Sequence, residues 1–213
     1  MNILDLEQGT PEWLAARSGK VTASRIGDVM ATIKSGEAAA RRDYRAQIVA
    51  EILTGTPQDR TYVNDEMRWG TEQEPLARSA YEVAKGVLVD QVGFVFHPTI
   101  ERAGASPDGV IGDDGLVEIK CPKTATHIQY LVSGVVPEAY KPQMLWQMAC
   151  TGARWCDFVS YDPRLTEELQ LFVMRYPRDE GRIKNMESEV LRFLAEVDET
   201  LAALGKLAGR AIA

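Results

Sequence analysis

The turn Gly112-Asp113-Asp114-Gly115 places the tightest constraint on this chain. It separates Val110-Ile111 from Leu116-Val117, and glycines around aspartates between aliphatic runs encode a sharp reversal between antiparallel strands. A hairpin is therefore expected from Asp108 through Lys120. Side chains two apart on a strand share a face. Glu118 and Lys120 then point one way, and Val117 and Ile119 the other, into an apolar layer. Asp108 stands on the neighbouring arm, where Gly109 permits close backbone approach. The charges either face water or meet at one spot.

The flanking sequence supplies helices and further strands. Thr10-Pro11 reads as an N-cap followed by proline at the first helical position, opening a helix that ends at Gly19. Thr22-Ala23-Ser24 reads as a second cap, ahead of Ile26, Val29 and Met30 at helical spacing. A longer helix is predicted over 38–53, with Tyr44, Ile48, Ile52 and Leu53 inward. Thr71 and Glu74 have the spacing of a capping box, and the helix that follows carries Leu76, Ala80 and Val83 on its apolar face until Gly86. Val87 to Phe96, residues 101–107, Trp155 to Tyr161 and Leu169 to Tyr176 read as strands. Residues 124–133 and 138–150 read as helices. The segment from about 179 to 205 is amphipathic, with Ile183, Met186, Val190, Phe193, Val197, Leu201 and Leu204 on one stripe. No repeat or long linker interrupts the 213 residues, so a single mixed α/β domain over 1–213 is expected.

Composition narrows the function. A net charge of -7 counts against a protein that coats nucleic acid, yet it leaves room for an enzyme that holds DNA locally, because carboxylates that bind divalent cations add to the acidic count. Cys121, Cys150 and Cys156 have no CxxC spacing, so free thiols in a reducing cytoplasm are expected rather than a zinc or iron–sulfur site. The N-terminal MNILDLEQGT lacks the basic start and apolar run of a signal peptide, and no stretch is long enough to span a bilayer. His97 and His127 fall in no HxH or HExxH spacing and are read as structural. No Walker-type loop or glycine-flanked serine appears.

Two carboxylates and an ammonium on adjoining arms suit phosphodiester chemistry. Hard oxygen ligands favour Mg2+, which keeps several waters and binds through one or two carboxylates plus substrate phosphate. The amine can orient the attacking water or stabilise growing negative charge. The competing reading is an exposed Glu–Lys pair of little energetic consequence.

SPDGVIGDDGLVEIKCP resembles the PD-(D/E)xK nuclease signature. The wider chain is similar to the phage recombination exonucleases of the lambda exonuclease (YqaJ) type. EQGTPEWLAARSGKVTAS resembles that family's opening pattern, RWGTEQEPLAR its WG…E helix, and YKPQMLWQMACTG with FVSYDPR its glutamine helix and following strand. These blocks run in the family's order from residue 7 to 164. The resemblance implies a restriction-endonuclease-like core with a central mixed β-sheet flanked by helices. It implies that Asp108, Glu118 and the backbone carbonyl of Ile119 hold Mg2+, with Mn2+ a substitute, and that Lys120 activates or orients the water. Glu74 would be a third acid at the site, in competition with its capping-box role, and Gln143 would lie beside the metals. Arg17 and Ser24 would grip a terminal 5′-phosphate, Arg17 through its rigid fork of donors. Trp13 is expected to pack in the core. The implied activity is 5′-to-3′ digestion of duplex DNA from its ends, leaving 3′ single-stranded tails. The implied assembly is a homotrimeric ring that works with a single-strand annealing protein in a phage-infected or lysogenic cytoplasm.

Two other readings are weaker. The Cas4 and RecB-like nucleases include members with a four-cysteine cluster, and this chain has three cysteines, none near its start. A non-catalytic DNA-end-binding scaffold would gain nothing from clustered buried charges.

Overall fold

The computed structural model describes residues 1–58 and 65–209. The first element, β1 (Ile3–Leu4), is followed by α1 (Pro11–Arg17), β2 (Val21–Thr22), α2 (Ile26–Val29), α3 (Ala39–Thr54) and α4 (Asp65–Lys85). Next come β3 (Phe94–Phe96), β4 (Ala103–Ala105), β5 (Gly109–Ile111) and β6 (Gly115–Lys120). After α5 (Thr124–Ser133) and α6 (Lys141–Thr151), the strands β7 (Trp155–Tyr161) and β8 (Leu171–Pro177) lead into α7 (Glu180–Leu207). The fold class is the mixed α/β arrangement expected.

The strands divide into two four-stranded sheets, ordered β1-β3-β4-β2 and β5-β6-β7-β8. In the second, β6 runs antiparallel to β5 and β8 antiparallel to β7, while β6 and β7 are parallel. The predicted strand over Val87–Phe96 is ladder-paired only at Phe94–Phe96; upstream, a single bridge from Asp90 to Val110 links it to the hairpin. Gly93 marks a close backbone approach on this segment. A Cβ there would meet Leu4 O at 2.2 Å and Leu6 N at 2.6 Å, so only glycine lets the N-terminal segment pass so closely.

Alternation on β6 sorts the core into two layers. Val117 and Ile119 pack with Ala77 and Tyr81 of α4 and with Val159. Leu116 joins Phe158, Phe172, the α6 residues Met144, Leu145 and Met148, and the α7 stripe of Ile183, Met186, Val190, Phe193 and Val197. The α4 stripe is shifted from the predicted one: Leu76 is 54% and Val83 85% exposed, whereas Ala77 and Tyr81 are buried. Tyr81 sets this phase, because its hydroxyl donates to the buried Asp157 at 2.8 Å.

Both histidines are buried and serve packing. The His127 Nε2–H donates to Leu169 O at 2.8 Å, which leaves Nδ1 to accept from the Ser160 hydroxyl at 2.7 Å. His97 stacks on Trp146 with ring centroids 5.0 Å apart. All three cysteines are buried and free. Among the described residues no helix is long and apolar enough to cross a membrane.

Candidate active site

The hairpin opens where its ladder stops. Pairing runs from Ile111 opposite Gly115 to Gly109 opposite Val117 and goes no further. The next groups are taken by side chains: the Ile119 N–H donates to Asp108 Oδ2 at 2.6 Å, and Gln8 Nε2 donates to Pro107 O at 2.9 Å. Asp108 is thereby turned inward beside β6, its own side chain standing in for a rung.

Glu118 lies at the centre and is fully buried. Its Oε1 accepts from Gln143 Nε2 at 2.7 Å and pairs with the Lys120 ammonium; its Oε2 accepts from Gln147 Nε2 at 2.6 Å. Lys120 is about a quarter exposed, and its Nζ lies 5.5 Å from the centroid of the Tyr140 ring. Burial alone would lower the Lys120 pKa, but the carboxylates of Glu118 and Asp108 raise it above the ordinary value. Burial first, and then the charge of Glu118, pushes Asp108 up to about 8, against the pull of Lys120; Glu74 pushes the same way, and the Ile119 amide opposes it. Burial is the larger cause, and the surplus of carboxylates over ammonium adds to it.

That surplus is the observation that fits a cation. Asp108 and Glu118 offer hard oxygens, Glu74 adds negative potential, and one ammonium balances them in part. Among the described residues no group of three or more His, Cys, Asp and Glu side chains is placed to hold a metal ion. Two carboxylates suffice for Mg2+, which retains waters, whereas an all-protein cage of the zinc type needs more ligands. The Ile119 side chain belongs to the opposite core layer, so only its backbone faces this site.

The capping-box alternative for Glu74 is ruled out. The helix begins at Asp65, so Thr71 lies inside it and donates its hydroxyl to Met67 O at 3.1 Å. Glu74 is ion-paired with Arg78 one turn on, at 2.7 Å. Ser24 does not open a helix with its side chain either. It sits inside a 3-10 turn over Ala23–Arg25, whose cap residue Thr22 makes no side-chain cap bond. Its Oγ lies 3.4 Å from both Arg17 Nη2 and Thr22 Oγ1.

Arg17 and Ser24 nevertheless reach the hairpin through space. They line a cavity of about 150 Å³ whose other walls include Trp13, Ser106, Asp108 and Gln143. The expectation that Trp13 packs in the core needs correction. It is only partly buried and belongs to neither core cluster. Its Nε1 donates to Ser106 Oγ at 2.9 Å, and the Arg17 guanidinium lies 4.0 Å from its ring centroid. An indole with a polar edge to satisfy and a cation on its face suits a site wall better than an apolar interior. Trp13 also borders a larger cleft, about 780 Å³, which holds Glu74 and Arg78. Sequence reading passed over Gln147, although its position four residues after Gln143 puts both amides on one helix face.

Among curated proteins none matches this chain. Among solved structures, the alkaline exonuclease LHK-Exo from Laribacter hongkongensis is similar at 48% identity, with a TM-score of 0.86, covering 94% of this chain and 98% of that one. LHK-Exo in complex with dAMP gives the same identity and coverage and a TM-score of 0.88. A phage-related exonuclease from Haemophilus somnus 129PT shares the fold, with a TM-score of 0.69 at 14% identity, covering 87% of this chain and 96% of that one. Residues 12–154 match the YqaJ-like viral recombinase domain, a span that includes Trp13, Arg17, Ser24, the hairpin and both glutamines. The chain belongs to the YqaJ-like viral recombinase family.

Proposed function

We propose that the protein is a Mg2+-dependent DNA exonuclease that digests the 5′-ended strand from duplex ends and leaves 3′ single-stranded tails. The similar LHK-Exo, at 48% identity, is an alkaline exonuclease, which supports exonuclease chemistry here. The observation that carries the reading is the convergence of Asp108, Glu118 and Lys120 across the opened hairpin. When bound, Mg2+ (or Mn2+ in its place) would supply Lewis acidity at the phosphoryl oxygen and lower the pKa of a bound water. Asp108 and Glu118, with the Ile119 carbonyl, would hold the cation. Gln143 holds Glu118, and Lys120 orients the attacking water and neutralises charge that grows on the scissile phosphate. Glu74 adds a third carboxylate at the edge of the same site.

Polarity is assigned to Arg17 and Ser24. Their cavity adjoins Asp108, so a terminal 5′-phosphate seated there would set the first phosphodiester beside the metal ligands. A cavity of about 150 Å³ takes a phosphate but not a duplex. The dAMP bound by LHK-Exo is a mononucleotide, the size of product that such a register releases.

The decisive experiment digests linear duplexes labelled at the 5′ or 3′ end, with and without Mg2+. Early release of 5′ label as mononucleotide, only with metal, is expected. Early release of 3′ label would reverse the polarity. Arg17→Ala should reduce the preference for 5′-phosphorylated over 5′-hydroxyl ends about tenfold, through loss of a charge-assisted contact. Equal wild-type rates on both ends would remove the role of Arg17.

The same reading includes a homotrimeric ring around DNA and a single-strand annealing protein as partner for the tails. Enclosure accounts for a net charge of -7 on a DNA enzyme, since a closed ring does not rely on many phosphate contacts. Light scattering should give a mass near three chains, and a monomer would exclude the ring.

A further inference from the structure

We propose that Gln147 is a positioning residue that fixes the Glu118 carboxylate for a divalent cation, an inference that rests on the metal-site reading of Asp108 and Glu118. Gln143 and Gln147 lie one turn apart on α6, and each donates to a different oxygen of Glu118, at 2.7 and 2.6 Å. A carboxylate with one donor can swivel about its terminal torsion; with a donor on each oxygen, both from one rigid helix, its plane is set. Lys120 cannot do this alone, because it pairs with Oε1, on the side already served by Gln143.

The burial of Gln147 argues that the amide is there for Glu118. The residue is fully buried, and its Oε1 has no hydrogen-bond partner among the described residues. An amide with one end unsatisfied is costly in a core, and methionine would fill nearly the same volume without that cost. The Nε2 contact is what remains in its favour. Groups behind a metal ligand set its orientation, and their loss typically weakens metal binding 10- to 100-fold.

The test reads Mn2+ binding directly, by calorimetry on the metal-free full-length protein without DNA. Gln147→Met should weaken Mn2+ binding about tenfold or more, while Asp108→Asn, which removes a proposed ligand charge, should weaken it further. If Asp108→Asn weakens binding and Gln147→Met does not, Gln147 is a packing residue and this inference fails alone. If neither changes binding, the metal-site reading fails with it. Should Gln147→Met not fold, Gln147→Leu serves instead. It also removes the donor to Glu118 Oε2, so Mn2+ should raise its melting temperature less than it raises the wild type's. An equal rise overturns the proposal.

Discussion

Asp108→Asn is expected to abolish DNA cleavage and at the same time to stabilise the metal-free protein. Activity should fall on the order of 10³-fold or more, since one of the two carboxylates of the proposed metal site is lost. The stability gain follows from the surroundings of Asp108. In the absence of metal its pKa is pushed up to about 8 by burial and by the charge of Glu118, from an ordinary value of 3.8. A carboxyl whose pKa is raised on folding takes up a proton as the chain folds. Its contribution is therefore fully present below about pH 4 and is lost as pH rises through about 8. Asparagine keeps the shape and can still accept from the Ile119 amide through its own oxygen, but it carries no charge to desolvate. The advantage over wild type should be smallest below about pH 4, grow as pH rises toward 8, and reach on the order of 5 kcal/mol at pH 9, measured by urea unfolding in EDTA. Saturating Mg2+ should shrink the gap by stabilising only the wild type. A variant less stable than wild type at pH 9 without metal would mean that Asp108 is well compensated and that no cation is needed there.

What could be read from residues alone divides along the range of the forces involved. The hairpin, the opposite faces of Glu118 and Ile119, and the Thr10-Pro11 cap are local, fixed by strand alternation and by groups a few residues apart. In the structure Thr10 accepts from the Trp13 amide at 3.3 Å. Features set by distant chain were not legible. The register of α4 depends on Tyr81 reaching Asp157, 76 positions on, and this turned the helix so that Leu76 and Val83 face outward. The capping-box alternative at Thr71 failed because Thr71 lies inside a helix that spans Asp65–Lys85, despite Gly70 and with Pro75 inside it. Gln147 acquires meaning only once α6 lies across β6. The close pass of the N-terminal segment over Gly93 is likewise a contact that no periodicity announces. The placement of Asp108, Glu118 and Lys120 was the more legible part, since the motif spacing encodes a hairpin, and the hairpin brings its own arms together.

The second large effect is expected at Lys120. Lys120→Met should lower cleavage on the order of 10³-fold, for want of a group to orient water and neutralise charge, and should also destabilise the fold. Glu118 is fully buried, and Lys120 is the ammonium paired with it. Breaking a buried pair by removing one partner costs about 3–5 kcal/mol, because the other charge is left uncompensated. Lys120 retains 28% exposure, so a loss near the lower end of that range, about 3 kcal/mol, is expected. The two effects separate in the double variant Glu118→Gln/Lys120→Met. Neutralising Glu118 removes the stranded charge, and a glutamine there can still accept from Gln143 or Gln147 through its one carbonyl oxygen. Most of the lost stability should return, while activity stays absent. Chemical denaturation and the end-labelled digestion together decide the matter. If the double variant is no more stable than Lys120→Met, the ammonium was not balancing Glu118. If Lys120→Met cleaves at the wild-type rate, the water is oriented by another group, and Lys120 serves only to keep a buried acid charged.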